Sequence, residues 1–276
     1  MPKVIIAGCG FLGETAAALF LGAGWDVLGL CATPESAARL ADKPFPVQAV
    51  DITQPYIFSP PWHGPDALVH CASSGGGGPE SYRQVYLEGL LNLLAGAQPR
   101  RTLFVSSTSV YAQTDGSIVT ESSPASPDRE TGQILREAEG VALASGGYVA
   151  RLSGLYGPGR SVLLRKFLGG EARREGDGGR WINQIHRDDA ALAILHLFSH
   201  RAEPGIYNVS DDTPATQAEV QKWMADFFQR PLPPPGEPDL SRKRGWTSKR
   251  ISNAKLRETG WAPSFPSFRA ALPSLA

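Results

Sequence analysis

Three glycines near the start of the chain, Gly8, Gly10 and Gly13, follow the run Val4-Ile5-Ile6 with G-x-G-x-x-G spacing and precede a helix-prone stretch, Glu14–Leu21. Each can do something that only glycine does. Gly8 lets the chain reverse sharply, Gly10 has no Cβ to keep a pyrophosphate from the backbone, and Gly13 lets the helix pack close on the strand. Phe11 and Leu12 complete the turn and are counted with it as ligand contacts. The helix N-terminus offers free N–H groups and a positive dipole end to phosphates. In this strand–turn–helix context the spacing reads as a dinucleotide-binding fingerprint, against the plain alternative of a βα turn without ligand.

Further residues fit the rest of such a ligand. A dinucleotide site of this kind usually carries an acidic residue at the end of the second strand, about 20 residues after the glycines, for the ribose hydroxyls. Here that strand, Asp26–Leu30, ends in the neutral Cys31. The missing carboxylate removes a repulsion toward a 2′-phosphate. Thr33 and Ser36 could donate to one and Arg39 could reach it, which tilts the expectation to NADP over NAD. The alternative is that they only cap and solvate a helix started by Thr33-Pro34. Asp51 can accept from an adenine amino group while Ile52 packs on the ring. The strand Asp66–Cys71 runs into Ala72-Ser73-Ser74 and Gly75–Gly78. That loop reads as a mobile element beside the nicotinamide ribose or, alternatively, as a surface linker.

The elements that must hold these residues alternate. Strands are predicted at Val4–Ile6, Asp26–Leu30, Phe45–Val50, Asp66–Cys71, Thr102–Val105, Tyr148–Leu152 and Gly205–Val209. Helices are predicted over Ser81–Ala97, with Tyr82, Val85, Leu90, Leu93 and Leu94 on one buried face, and over Glu130–Ser145, Ala190–Ser199 and Gln217–Phe228. Alternation of this kind implies an α/β, Rossmann-type doubly wound parallel sheet. Residues 1–152 are expected to form the dinucleotide-binding core. Residues 153–276, with short helices near Val162–Leu168, Asn253–Thr259 and Ser267–Leu272, are expected to complete the sheet and form a small substrate cap within one compact unit. Pro231–Pro238, with five prolines, reads as a boundary or lid loop.

Lys+Arg and Asp+Glu both number 27, so the formal net charge is zero. That balance gives no support for nucleic acid or an anionic membrane as partner. No apolar run reaches the roughly 20 residues that span a bilayer. With a strand at its very start the chain is expected to lack a signal peptide and to be cytoplasmic. The three cysteines, Cys9, Cys31 and Cys71, show no metal-ligand spacing and read as small buried hydrophobes, so no metal is expected.

Several stretches together resemble one family: V-I-I-A-G-C-G-F-L-G at the start, S-S-T-S-V-Y over Ser106–Tyr111, R-L-S-G-L-Y-G-P-G-R over Arg151–Arg160, I-H-R-D-D over Ile185–Asp189 and Y-N-V-S-D-D over Tyr207–Asp212. They are similar to the extended short-chain dehydrogenases/reductases, the NAD-dependent epimerase/dehydratase family. The resemblance covers nearly the whole chain. It places Cys71, Ala72, Ser73 and Ser106 beside the cofactor and a catalytic Ser/Thr at Ser107. The family also carries a Tyr-x-x-x-Lys pair, in which the lysine lowers the tyrosine pKa. Matching the family's helix glutamate to Glu139 puts the tyrosine at Thr131 and the lysine at Leu135. No Tyr-x-x-x-Lys occurs anywhere in the sequence. The chain thus resembles an atypical member, similar to the YeeZ-like group.

Tyr111, Arg136, Glu137, Tyr156 and His186 are candidates for the missing acid, each with a structural alternative. Tyr111 also reads as an ordinary packed tyrosine, Arg136 and Glu137 as a solvated helix face, and His186 as a hydrogen-bonded structural histidine. The resemblance implies substrate contacts from Ser107, Tyr156, Arg160, Asn183, His186 and Arg250, often to a nucleotide-sugar. The basic run Arg242-Lys243-Arg244 with Lys249-Arg250 would aid an anionic substrate or form a solvated loop. The resulting expectation is an NAD(P)-dependent oxidoreductase or epimerase acting on a small polar, sugar-like substrate. The rival is a non-catalytic NAD(P)-binding sensor or regulator. Relatives dimerise through helices matching Ser81–Ala97 and Glu130–Ser145, which makes a homodimer the expected assembly.

Overall fold

The computed structural model describes residues 1–198, 202–238 and 246–275. Seven strands form one sheet: β1 (Lys3–Ala7), β2 (Asp26–Cys31), β3 (Val47–Ala49), β4 (Ala67–His70), β5 (Thr102–Ser107), β6 (Tyr148–Leu152) and β7 (Gly205–Val209). They lie in the order β7-β6-β5-β4-β1-β2-β3. The pairings of β1 with β2 and β4, of β2 with β3, and of β4 with β5 are parallel. Val4, Ile5, Ile6 and Ala7 are all fully buried, as strands covered on both faces require. Strand order reverses between β1 and β4, the place where open α/β sheets bind ligands. The fold is the Rossmann-type doubly wound sheet. β3 is shorter than the Phe45–Val50 prediction: Pro46 has no N–H for a ladder and serves only through its carbonyl, which accepts from Gly29.

The chain divides into two compact units. The first comprises Met1–Ser107, Glu130–Arg151 and Ala191–Tyr207. One of its cores gathers Ile5, Leu28, Leu30, Val50, Ile52, Phe58, Leu68 and Leu93. Each such side chain contributes about 1.5–3 kcal/mol by leaving water. The helix Gly13–Gly22 follows β1, and the helix Glu130–Ala144 packs on β5. The helix predicted over Ser81–Ala97 comes in three pieces: Pro79–Tyr82, a wide i→i+5 turn at Arg83–Glu88, and Gly89–Ala97. The extra residue in that turn changes the helical phase. Tyr86, absent from the predicted face, is buried with Tyr82 and Leu90, while Val85 and Leu94 are only partly so.

The second unit comprises Thr108–Arg129, Leu152–Ala190 and Asn208–Ala276. It is built from two- and three-residue strand pairs: Gly154–Tyr156 with Gln184–His186, Trp181–Ile182 with Ala215–Thr216, and Arg250–Ile251 with Ile118–Val119. Helices Val162–Leu168, Gln217–Phe228 and Phe268–Leu275 bury Leu164, Phe167, Val220, Met224, Phe268 and Leu272 against one another. Thr216 and Glu219 close a capping box at the second helix. Among the described residues no helix is long and apolar enough to cross a membrane. Arg242-Lys243-Arg244 and Ser199 lie outside the described residues.

Candidate nucleotide-binding and active site

The three glycines of the first turn prove unlike one another. Gly8 has φ +94°, and a Cβ there would lie 2.3 Å from the backbone of Ala72, just beyond β4. A Cβ on Gly13 would lie 2.3 Å from the Gly8 carbonyl oxygen and 3.0 Å from Cys71 Sγ. Among the described residues, nothing lies within 4 Å of a Cβ on Gly10. Two glycines are thus filled solid by protein, and the middle one faces open space. Among the described residues, no side chain caps the helix that follows, whose N-cap is Leu12. Backbone, dipole and space together fit a pyrophosphate.

The neighbouring cysteines are inert small groups. Cys31 Sγ–H points to the Cys9 carbonyl at 3.6 Å and Cys71 Sγ–H to the Gly8 carbonyl at 3.4 Å. Burial pushes the Cys9 thiol up to about 12 and raises Cys31 and Cys71 as well. All three therefore stay protonated at neutral pH. Beyond β2 a polar cluster is already assembled. Thr33 Oγ1 caps its helix by accepting from Ser36 N at 3.2 Å, and Arg39 Nη2 donates to Ser36 Oγ at 3.1 Å. Asp51 accepts from Thr53 N and Oγ1 through Oδ1, at 3.0 and 2.8 Å. Its carboxylate is exposed, whereas Ile52 is buried. Ser73 Oγ accepts from Gly75 N at 3.4 Å within the glycine loop.

At the end of β5 the two serines differ. Ser106 Oγ donates to Glu139 Oε1 at 2.6 Å. Glu139, with no exposed surface, also receives Arg151 Nε at 2.9 Å and Arg151 Nη2 at 2.6 Å, and pairs with Arg136. Ser106 is thus tied into a buried ion cluster that the sequence reading missed. Ser107 closes the strand beside it. Thr131 and Leu135, where the family pair would stand, are 8% and 3% exposed. Glu137 pairs with Arg83 across the neighbouring helix at 3.0 Å.

In the second unit, Tyr111 is fully buried and its hydroxyl donates to Asn208 Oδ1 at 2.9 Å, while its carbonyl accepts from Lys249 Nζ at 2.7 Å. Burial lowers the Lys249 ammonium to about 8. Asn183, expected on the substrate, spends its amide on backbone: Nδ2 donates to Lys249 O at 2.8 Å and Oδ1 accepts from Ile251 N at 2.8 Å. Tyr156 and His186, expected on the substrate side, lie in the interior, directly opposite each other in a strand pair with ring centroids 5.4 Å apart. Burial raises the Tyr156 hydroxyl far above its ordinary value and lowers His186, which accepts from Asp188 N through Nδ1. Arg160 is exposed. Arg250 stacks over Trp181, 5.1 Å from the ring centroid, and donates from Nε to Gly116 O at 2.9 Å, which fixes the plane of its guanidinium.

Residues 4–210 match the NAD-dependent epimerase/dehydratase family. The chain belongs to that family. Within it, the protein YeeZ of Escherichia coli strain K12 is 33% identical over 224 residues, 76% of this chain and 77% of YeeZ. The structure of a conserved protein of unknown function from Silicibacter pomeroyi DSS superposes with TM-score 0.79 at 26% identity, covering 100% of this chain and 98% of that one. DesIV of Streptomyces venezuelae, a dTDP-glucose 4,6-dehydratase solved with NAD and TYD, shares the fold with TM-score 0.79 at 21% identity, over 96% and 93% of the two chains. The family is described as NAD-dependent, and the open space at Gly10 leaves room for the pyrophosphate of such a group.

Proposed function

We propose that this epimerase/dehydratase family member holds a nicotinamide dinucleotide on the Gly8–Gly13 turn and uses it to oxidise, reduce or epimerise a small polar, anionic, sugar-like substrate. The observation that carries the reading is the contrast among the glycines: Gly8 and Gly13 are packed against protein and Gly10 is open. When bound, the cofactor supplies hydride transfer at its nicotinamide ring. The chain's own residues do the rest. Backbone N–H groups of the turn hold the pyrophosphate, and Asp51 accepts from the adenine amino group. Ser107 donates to the substrate oxygen. Within the second unit, Arg250, held flat by Trp181 and Gly116, has the geometry to pair with an anionic group as a bidentate fork. Tyr111 serves as framework, because its hydroxyl is held by Asn208.

NADP is the preferred cofactor in this reading. Cys31 brings no carboxylate to repel a 2′-phosphate, and Thr33, Ser36 and Arg39 are already linked beside it. The expected result is tighter binding of NADPH than of NADH by calorimetry; tighter NADH would reverse the preference. For catalysis, turnover of nicotinamide absorbance with a panel of sugar and hydroxy-acid carbonyls should fall about 100-fold in Ser107→Ala. An unchanged rate would remove the role given to Ser107.

A second reading has its own observation. Thr131 and Leu135 are buried at the positions of the family's acid and base, and neither can supply a phenol or an ammonium. That favours a protein which binds NAD(P) and reports or regulates without turnover. It predicts cofactor binding with no carbonyl reduced.

A further inference from the structure

His70 ends β4 and is fully buried, yet nothing above gives it a task. Its Nε2 lies 2.9 Å from the Val85 carbonyl. A carbonyl only accepts, so Nε2 carries the proton and the ring is the neutral Nε2–H tautomer. Burial lowers its pKa to about 4, so it stays neutral at physiological pH. Val85 belongs to the wide turn Arg83–Glu88, set between the regular turns Pro79–Tyr82 and Gly89–Ala97. An i→i+5 turn takes in one residue more than an α-turn, and one residue is about 100° of helical rotation. The turn therefore sets the rotation of Gly89–Ala97 about its axis, and with it the stripe that meets the loop after β3.

The stripe it selects backs onto the Asp51–Ile52 corner. Gly89, Asn92 and Gly96 stand at i, i+3 and i+7. A Cβ on Gly89 would lie 3.0 Å from Ile52 Cδ1, and one on Gly96 would lie 1.8 Å from the Tyr56 carbonyl oxygen. Asn92 Nδ2 donates to Ile52 O at 3.0 Å, and Phe58 N donates to Gly96 O at 3.2 Å. Turned by one residue, the helix would put larger side chains where these glycines now allow contact.

We propose that His70 is a positioning residue for the adenosine half of the dinucleotide, acting through the Val85 carbonyl and the phase of Gly89–Ala97 on the Asp51–Ile52 corner. The proposal rests on the cofactor reading above. It links the exit of β4, which abuts the glycine turn, to the loop after β3 through two side-chain hydrogen bonds, His70 to Val85 O and Asn92 to Ile52 O. A purely structural histidine would affect all ligands alike; a positioning one affects only those that carry adenosine.

The test is calorimetric binding of AMP, reduced nicotinamide mononucleotide and NADH to the full chain and to His70→Ala, His70→Gln and Asn92→Ala. AMP and NADH should weaken about five- to tenfold in His70→Ala and in Asn92→Ala, the loss of about one hydrogen bond. The mononucleotide should change less than about twofold. His70→Gln, whose amide N–H can reach the same carbonyl, should regain most of the loss. If His70→Ala fails to fold, Asn92→Ala decides. Unchanged AMP affinity in the folded variants, or a mononucleotide weakened as much as AMP, overturns the positioning role and leaves the cofactor reading standing. A wild-type chain that binds none of the three overturns both.

Discussion

Changing Glu139 to glutamine should be the costliest isosteric substitution in the helix Glu130–Ala144. The carboxylate has no exposed surface and faces Arg151, itself 1% exposed, through two hydrogen bonds of 2.9 and 2.6 Å. Glutamine would leave that guanidinium buried without its counter-charge and turn an N–H toward an N–H. Breaking one side of a buried ion pair costs about 3–5 kcal/mol. Arg136 adds little to this, because its side chain is 37% exposed and can turn to water. For a chain of this size about 2–4 °C of melting temperature accompanies each kcal/mol, so the melt should fall by about 6–20 °C. The double variant Glu139→Leu/Arg151→Met should recover most of that loss, since an apolar pair of similar volume replaces a desolvated ion pair at little cost. Urea unfolding followed by circular dichroism, with a double-mutant cycle, measures both effects. A Glu139→Gln variant within about 1 kcal/mol of wild type, or a double variant as unstable as the two single changes summed, would refute the reasoning.

Two further changes probe other parts of the account. Burial raises Asp211 from its ordinary 3.8 to about 8, so its contribution to stability is fully present below about pH 4 and is lost as the pH climbs to about 8. Wild type should lose up to about 1.4 kcal/mol per pH unit in that window relative to Asp211→Asn; parallel urea midpoints from pH 5 to pH 8 would contradict the assignment. Gly13→Ala must push a methyl against the Gly8 carbonyl. It should cost about 3 kcal/mol of stability before any ligand is added, visible as a lower melt of the ligand-free chain.

The sheet was legible in the sequence because each of its strands is a short apolar run bounded by turn residues. Val4–Ile6 and Asp66–Cys71 announce themselves in this way. The glycine turn was equally legible, since the spacing encodes three different steric demands. The helix over Ser81–Ala97 was legible only as a helix. An i→i+5 turn has no periodic signature, so the break at Arg83–Glu88 was not foreseen. The short strand pairs of the second unit, two or three residues each, fall below any pattern of alternation.

The buried ion cluster was missed because Glu139 and Arg151 look like solvent-facing charges when each is taken alone. The available clue was composition. Arg151 interrupts the apolar strand Tyr148-Val-Ala-Arg-Leu, and Glu139 sits on the face of Leu135, Ala138 and Ala142. Tyr156, Asn183 and His186 were assigned by their loops, and loop membership says nothing about which way a side chain points. The burial of Tyr156 and His186 comes from the pairing of Gly154–Tyr156 with Gln184–His186, and Asn183 is held by the backbone of Lys249 and Ile251, arrangements that only the folded chain displays.

The central claim is that a dinucleotide lies on the Gly8–Gly13 turn, and Gly10→Ala tests it most directly. A methyl there meets no atom of the described residues within 4 Å, so the ligand-free melting temperature should not fall. The same methyl stands where the pyrophosphate must approach. At a concentration 100 times its dissociation constant, NADPH or NADH should stabilise wild type by about 2.7 kcal/mol, a shift of about 5–10 °C. The account predicts that Gly10→Ala keeps the ligand-free melt and loses that shift. A variant that keeps the full shift, or a wild-type chain that shows none with either nucleotide, would contradict it.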